Sequence, residues 1–372
     1  MEVGMEISLS RPDITQAERD AVNEVLMTTT LSLGPKVPEF EGLVRDFLGC
    51  RFTVAVNSGT SALHLILRAM GIKRGDEVIT TPFTFIASSN CILFEDARPV
   101  FVDVDPETWC IDPARIEAAI TSRTKAILPV DVFGQPADMD PILQIAKRHG
   151  LRVIEDSCEA LGATYKGRMA GTLGEAGALG FYPNKQITTG EGGMILTSDE
   201  TIHKLAASMR NQGREGMGWL GHKRLGYNYR LSDINCALGA AQMRRVTEIL
   251  DKRQKVADLY VARLADDKRF RLQKILPECS KSWFVMVVRL NDSYREADRD
   301  RIINTLRSKG IMASNYFPSV HLQPFYVEQL GCKRGMLPIC EALCDRTLAL
   351  PFHGQLTESE VDQVCETFFS LL

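Results

Sequence analysis

Between about residue 50 and residue 200 the chain alternates short apolar runs with amphipathic stretches, and this rhythm constrains the fold more than any other feature. FTVAV precedes SALHLILRAMG, EVITT precedes FIASSNCILFED, PVFVDV precedes PARIEAAIT, KAILPV precedes MDPILQIAKRHG, and LRVIEDS closes the series. The apolar runs read as strands buried on both faces, while the stretches between them repeat their apolar residues at helical spacing. Strands alternating with helices form βαβ units, so the expected class is α/β, with a largely parallel sheet and helices on both faces. GALGFYP and GGMILTS follow with only a short polar loop between them, so crossover helices stop here and a hairpin-like or edge arrangement is expected.

A helical pattern from about Asn235 through Ala265 leads into a region of different character. There SWFVMVVRL, GIMASNYF and TLALPF read as strands, separated by helices such as ADRDRIINTLRSKG and ESEVDQVCETFFSLL, which suits a smaller α/β domain with an antiparallel sheet. With 372 residues, 45% hydrophobic and 24% charged, the chain is long enough for two or three domains. A net charge of −3 without a long Lys/Arg block provides no field for nucleic acid or a membrane surface, which leaves small-molecule chemistry. The N-terminal stretch lacks a basic and an apolar leader region, and the longest apolar run, Trp283 to Val288, is too short to span a bilayer; a cytoplasmic protein is expected. The ten cysteines are scattered without a Cys-x-x-Cys pair, and Cys340 and Cys344 have no second pair nearby, so reduced thiols and no metal site are expected.

Four features carry chemistry. Asn57-Ser58-Gly59-Thr60-Ser61 lies between the strand FTVAV and a helix, where backbone N–H groups and the helix N-terminus favour a phosphate at Gly59 and Thr60. Thr81-Pro82-Phe83-Thr84-Phe85 follows EVITT and offers an aromatic face for a flat ring. Glu155-Asp156-Ser157 ends a strand at the carboxyl edge of a parallel sheet, where ligands of open α/β folds sit; a carboxylate there can keep a pyridinium nitrogen protonated. Phe181-Tyr182-Pro183-Asn184-Lys185 is followed by a small polar loop, and an amine set between two apolar strands is desolvated enough to attack an aldehyde in its neutral form. Taken singly, the first and third read equally as helix caps and the second as plain core. Together they place an anion cup, an aromatic plate, an acid and a lysine at successive strand ends, where one cofactor meets all four.

These residues also carry a resemblance. NSGTSALHL, TTPFTFIAS, VFVDVDPET, GQPADMD, VIEDSCEALGA, FYPNKQITTGEGGMI, GYNYRLSDINCALG and LPFHGQLTESEV are long, consecutive markers, and through them nearly the whole chain resembles the DegT/DnrJ/EryC1/StrS family of sugar aminotransferases. The resemblance implies fold type I among pyridoxal-phosphate enzymes. Residues 1–247 would form an N-terminal arm and a large, mostly parallel seven-stranded sheet domain, and residues 248–372 the small C-terminal domain. It further implies that Gly59 and Thr60 hold the phosphate of pyridoxal 5'-phosphate, Phe85 stacks on its ring, Asp156 pairs with the ring nitrogen, Lys185 bonds the aldehyde, and Glu159 lies beside the ring. Asn228 would reach a phosphate in the neighbouring subunit, which makes a homodimer the working unit. Gly180 departs from the pattern: a serine commonly stands there and supplies another hydroxyl to the phosphate.

The implied reaction moves an amino group from an amino acid, by family habit glutamate, through pyridoxamine 5'-phosphate to a keto-sugar nucleotide. Lys185 acts as covalent anchor and general base, and Asp156 supports both half-reactions. Tyr316 and His321 are candidates for substrate contact, and Arg230 offers its planar fork to the donor's carboxylate or to a structural salt bridge. Related sugar dehydratases carry His where Lys185 stands, so the lysine argues against dehydration. A regulatory protein that binds the cofactor or sugar nucleotide without turnover, and a fold-type I enzyme acting on amino acids alone, are the other readings.

Overall fold

Alternate residues of the strands of the large sheet enter two different cores, as the period of a β-strand requires. Val54 and Val56 pack into one, Ala55 into the other; Ile195 joins the first, Met194 and Leu196 the second. The computed structural model describes residues 6–216 and 221–372; residues 1–5, the start of the stretch read above for a leader, and residues 217–220 lie outside the described residues.

The strands run β1 (Phe52–Val56), β2 (Glu77–Thr80), β3 (Arg98–Phe101), β4 (Thr124–Leu128), β5 (Arg152–Asp156), a short ribbon of β6 (Thr164–Tyr165) and β7 (Arg168–Met169), then β8 (Ala176–Gly180) and β9 (Gly193–Thr197). Seven of them form one sheet in the order β1-β9-β8-β5-β4-β2-β3. Within this sheet only β9 runs antiparallel to its neighbours, β8 and β1. The hairpin-like relation of β8 and β9 is therefore present, but β9 is not an edge strand: all its residues are buried, and β1 covers its other side.

Helices α1 (Gln16–Leu26) and α2 (Lys36–Leu48) precede the sheet, and α3 (Gly59–Ala69), α4 (Ala87–Leu93), α5 (Pro113–Ile116), α6 (Met139–His149) and α7 (Glu200–Arg210) connect or flank its strands. The long helical pattern is two helices, α8 (Asp233–Arg244) and α9 (Val246–Leu264), because Arg245 leaves helical geometry at φ −109°. α9 spans two cores: Val246 and Ile249 pack under the large sheet, Val256, Ala257, Tyr260 and Leu264 into the C-terminal unit.

That unit holds an antiparallel sheet in the order β10-β12-β14-β13, made of β10 (Phe270–Leu272), β12 (Met286–Leu290), β13 (Ser314–Asn315) and β14 (Thr347–Leu350), while β11 (Cys279–Ser280) pairs with β6. Helices α10 (Glu296–Ser308), α11 (Pro324–Leu330), α12 (Pro338–Arg346) and α13 (Glu358–Phe369) complete it. The N-terminal arm joins this unit rather than the large sheet: Ile7 is buried in its core, donates to Gly310 O and accepts from Met312 N, and Phe352 N donates to Leu9 O. Of SWFVMVVRL only Met286–Leu290 is strand; Ser282 to Val285 lead up to it as irregular chain.

α1 docks on the large unit through one buried carboxylate. Glu18 closes a capping box with Thr15 and accepts from Gln242 Nε2 at 2.8 Å and Arg245 Nη1 at 2.6 Å. Burial raises its pKa, but the bonds from Thr15, Gln242 and Arg245 outweigh this and bring it down to about 2. Glu18→Gln is expected to cost about 2 kcal/mol at pH 7 by urea unfolding. Because the folded pKa is depressed, that stability is present above the ordinary 4.5, and the gap from wild type should close as pH falls toward 2.

Candidate active site

A cavity of about 510 Å³ opens at the sheet edge where β1, β2, β4, β5 and β8 end and β9 begins. This is where a parallel α/β sheet presents loops and helix N-termini to a ligand. Gly59, Thr60, Phe85, Asp156, Glu159, Lys185 and Tyr316 all line it.

Lys185 sits in the turn after β8, its N–H donating to Tyr182 O at 2.9 Å. Its Nζ lies 3.3 Å from Glu159 Oε1 and 4.0 Å from the centre of the Phe284 ring. The other oxygen of Glu159 accepts from Phe133 N at 3.0 Å. Burial raises the Glu159 carboxyl, and the Lys185 charge partly offsets that.

At the end of β5 three adjacent polar residues serve three different places, because neighbouring side chains of a strand face opposite ways. Asp156 faces the cavity, where Ser88 Oγ donates to it at 2.6 Å and Cys158 N at 3.2 Å. Glu155 accepts instead from Gly171 N at 2.9 Å and from Leu173 N and Gly174 N, both at 2.6 Å. Ser157 donates to Asp131 at 2.5 Å.

The N-terminus of α3 also lines the cavity, capped by Ser58 Oγ, which accepts from Ser61 N at 3.0 Å. First-turn N–H groups of a helix have no acceptor within it, so those of Gly59 and Thr60 suit an anion. The cup is close-fitting. A Cβ at Gly193 would stand 2.4 Å from Ser58 O, and one at Gly59 would stand 2.7 Å from Cys158 Sγ. The Gly180 departure faces Cys158: a Cβ there would stand 3.3 Å from Cys158 Cβ and 3.6 Å from its Sγ, so a side chain at 180 would press on the cysteine.

Phe85 lines the cavity yet stays 61% exposed, an apolar face open to the site. Tyr316 OH accepts from Asn184 Nδ2 at 3.4 Å, and burial raises its pKa. Other candidates stand elsewhere. Asn228 is exposed and outside this cavity, although the carbonyl of the adjoining Tyr229 accepts from Asn57 N at 3.0 Å beside the cup. Arg230 donates to Asn211 Oδ1 at 3.0 Å and does not line the cavity. His321 corrects an expectation: it is fully buried and lies 3.1 Å from Glu341, which also binds Gly335 N and Leu337 N, so it braces a loop and does not reach the cavity. Sequence reasoning missed Ser88, Cys158, Asn184 and Phe284. Ser88 and Phe284 lay inside runs read only for helix and strand, and nothing local distinguishes them from core.

A mostly parallel sheet that brings an amine, two carboxylates and a helix N-terminus to one cavity at its carboxyl edge is the architecture of the fold-type I aminotransferases. More closely, the chain belongs to the DegT/DnrJ/EryC1/StrS aminotransferase family, whose sequence model matches residues 12–369. It is 41% identical over 360 residues to GDP-perosamine synthase of Caulobacter vibrioides, covering 96% of each chain. Helicobacter pylori PseC, an aminotransferase involved in the biosynthesis of pseudoaminic acid, superposes with a TM-score of 0.94 at 27% identity, covering 98% of this chain and 99% of that one. Spr1654 of Streptococcus pneumoniae, assigned as a sugar aminotransferase and solved in its PLP form, gives 0.93 at 29% identity and covers 98% of each chain.

Residues 316 and 321 should respond differently to substitution. His321→Ala removes a buried ring and leaves Glu341 one partner short, so it is expected to lower stability by about 3 kcal/mol in chemical denaturation. Tyr316→Phe should change stability by less than about 1 kcal/mol, since the bond it loses is long and neutral, and should show its effect in substrate affinity or turnover.

Proposed function

We propose that this chain is a pyridoxal-phosphate-dependent aminotransferase that transfers the amino group of an amino acid, glutamate, to the keto carbon of a nucleotide-linked sugar. The observation that carries the reading is the shared cavity: Lys185 paired with Glu159, Asp156 at the strand end, and the first turn of α3 all line it. The residues fit the cofactor. The glycine-lined cup leaves space where side chains would collide, and the open ring of Phe85 offers a stacking face.

Gly59 and Thr60 would hold the phosphate, Phe85 the ring face, Asp156 the ring nitrogen, and Lys185 the aldehyde, with Glu159 beside the ring. When bound, the cofactor supplies an aldehyde that takes up the amino group, becoming pyridoxamine 5'-phosphate, and a protonated ring that accepts electrons from the broken C–H bond.

The chain's own residues supply the rest. Lys185, once its amine is free, takes the proton from the donor's α-carbon and returns one to the new amine-bearing carbon of the sugar. Glu159 answers the charge of the ammonium whenever the Lys185 amine is free of the cofactor. Asp156, fixed by Ser88 and Cys158 N, keeps its carboxylate aimed at the ring nitrogen through both half-reactions. The aromatic wall of Tyr316, Phe317 and Phe284 limits water around the amine.

The working unit we propose is a homodimer. In support, Asn228 is exposed next to the segment that bonds the Asn57 turn, a position from which it reaches outward rather than into its own cavity. A cytoplasmic setting agrees with ten free cysteines.

The purified protein should absorb visible light, and borohydride should fix the cofactor on Lys185, as read by peptide mass. Lys185→Ala should reduce glutamate-dependent turnover by at least about 1,000-fold. Full activity in that variant would end the assignment. A panel of 3-keto and 4-keto nucleotide sugars, assayed with glutamate and followed by product mass and 2-oxoglutarate release, identifies the acceptor; conversion of none would overturn the sugar reading.

A further inference from the structure

Arg253, on α9, is buried to 3% exposure, and among the described residues no carboxylate forms an ion pair with it. Its neighbour Lys252 takes Asp13 instead. Burying a guanidinium is costly; Asp13 attracts it from beyond ion-pair distance, and backbone acceptors replace the water it loses. The acceptors here are three main-chain carbonyls. Nη2 donates to Lys185 O at 2.8 Å and to Asn184 O at 3.4 Å, and Nη1 donates to Phe284 O at 3.4 Å. The guanidinium also lies over the Phe352 ring, 5.6 Å from its centre, which favours the cation in an otherwise apolar place.

The carbonyls belong to two segments that are far apart in sequence and meet at the amine. One is the turn that carries Lys185; the other is the irregular chain leading into β12, whose Phe284 ring lies beneath Lys185 Nζ at 4.0 Å. A rigid, planar fork fixes the distance between the lysine's backbone and the plate on which its amine rests. A lysine at 253 has a single nitrogen on a flexible stem and does not reproduce two fixed directions.

Resting on the reading of Lys185 as the residue that bonds the cofactor, we propose that Arg253 is a positioning residue for the reaction: it clamps the backbone of Lys185 to that of Phe284, so that the amine moves only about its side-chain bonds and returns to one place. Lys185 has to leave its covalent partner in one half-reaction and regain it in the other, and a backbone free to drift would make that return slow.

The test uses the full-length protein stripped of cofactor and given pyridoxal 5'-phosphate. Three quantities are followed: growth of the lysine-bound visible band, the pH midpoint of that band in the reconstituted protein, and the melting temperature of the cofactor-free protein. Arg253→Lys and Arg253→Gln are expected to form the band at least about tenfold more slowly and to move its pH midpoint, with Lys185 still the residue fixed by borohydride. Phe284→Leu, which keeps the carbonyl clamp and removes only the plate, should move the midpoint in the same direction. Should both Arg253 variants melt at lower temperature yet form the band within twofold of wild type with an unmoved midpoint, Arg253 is only a structural clip and the inference is wrong. If those variants do not fold, an unmoved midpoint in Phe284→Leu overturns it as well. Failure of borohydride to fix cofactor on Lys185 in wild type is a separate result, which removes the underlying reading and this inference with it.

Discussion

A primary amine held inside a protein must have its charge answered or lose its proton, and the geometry around Lys185 is organised by that requirement. Glu159 answers it from 3.3 Å, and Phe284 adds the negative face of its ring on another side. Glu159 is itself expensive to bury, and the balance falls on the side of burial, which raises its pKa despite the ammonium beside it. Phe133 N, bonded to its other oxygen, fixes the carboxyl so that Oε1 stays turned to the lysine. The amine and the acid thus each need the other, and they sit within reach of Asp156 and the α3 turn only because one sheet edge collects all of them.

That edge concentrates acid as well as function. Asp131, Glu155 and Asp156 come from adjoining strand ends, and three like charges so close in a dry place would repel. Burial raises both Asp131 and Glu155, with Asp131 raised further by the charges of its two neighbours. These two act as hydrogen-bonding pieces of structure: Asp131 accepts from Ala137 N and Ser157, and Glu155 from the 171–174 loop. Asp156 is the one of the three that lines the cavity, so the strand end presents one carboxyl group to it and turns the other two into structure.

The α/β alternation, the strand ends and the lysine were legible because each is a local pattern: apolar runs of strand length, a Ser-Gly-Thr turn, and a lysine before a glycine-rich loop. What escaped depends on contacts between distant segments. Ser88 meets Asp156 across 68 positions and looks in sequence like any helix serine. His321 has the residue type of a catalytic group, but the fold turns it toward Glu341, 20 positions on, and burial lowers its pKa. Arg245 breaks one long helical pattern into two helices without a proline or glycine to announce it. The resemblance groups the arm with the large unit in residues 1–247, yet Ile7 finds its hydrophobic partners in the small one. Periodicity states that a residue is buried, not which core receives it.

The two walls of the cavity are held to different degrees. On the lysine side almost every group is fixed from more than one element: Lys185 by its own turn, by Glu159 and by the guanidinium of α9, and Asp156 by Ser88 and the backbone of Cys158. At the mouth, Phe85 and Tyr182 remain 61% and 53% exposed, and Glu191 is exposed as well. Chemistry common to a family of enzymes requires the first arrangement, since proton transfer tolerates little displacement. Choice among sugars requires the second, because exposed side chains at a mouth change without disturbing a core. Tyr316 stands where the two regimes meet, bonded to Asn184 beside the lysine yet carried by the small unit's irregular chain after β13. Its hydroxyl is thus held deeper than the exposed side chains of Tyr182 and Glu191, on the side of the cavity that is fixed.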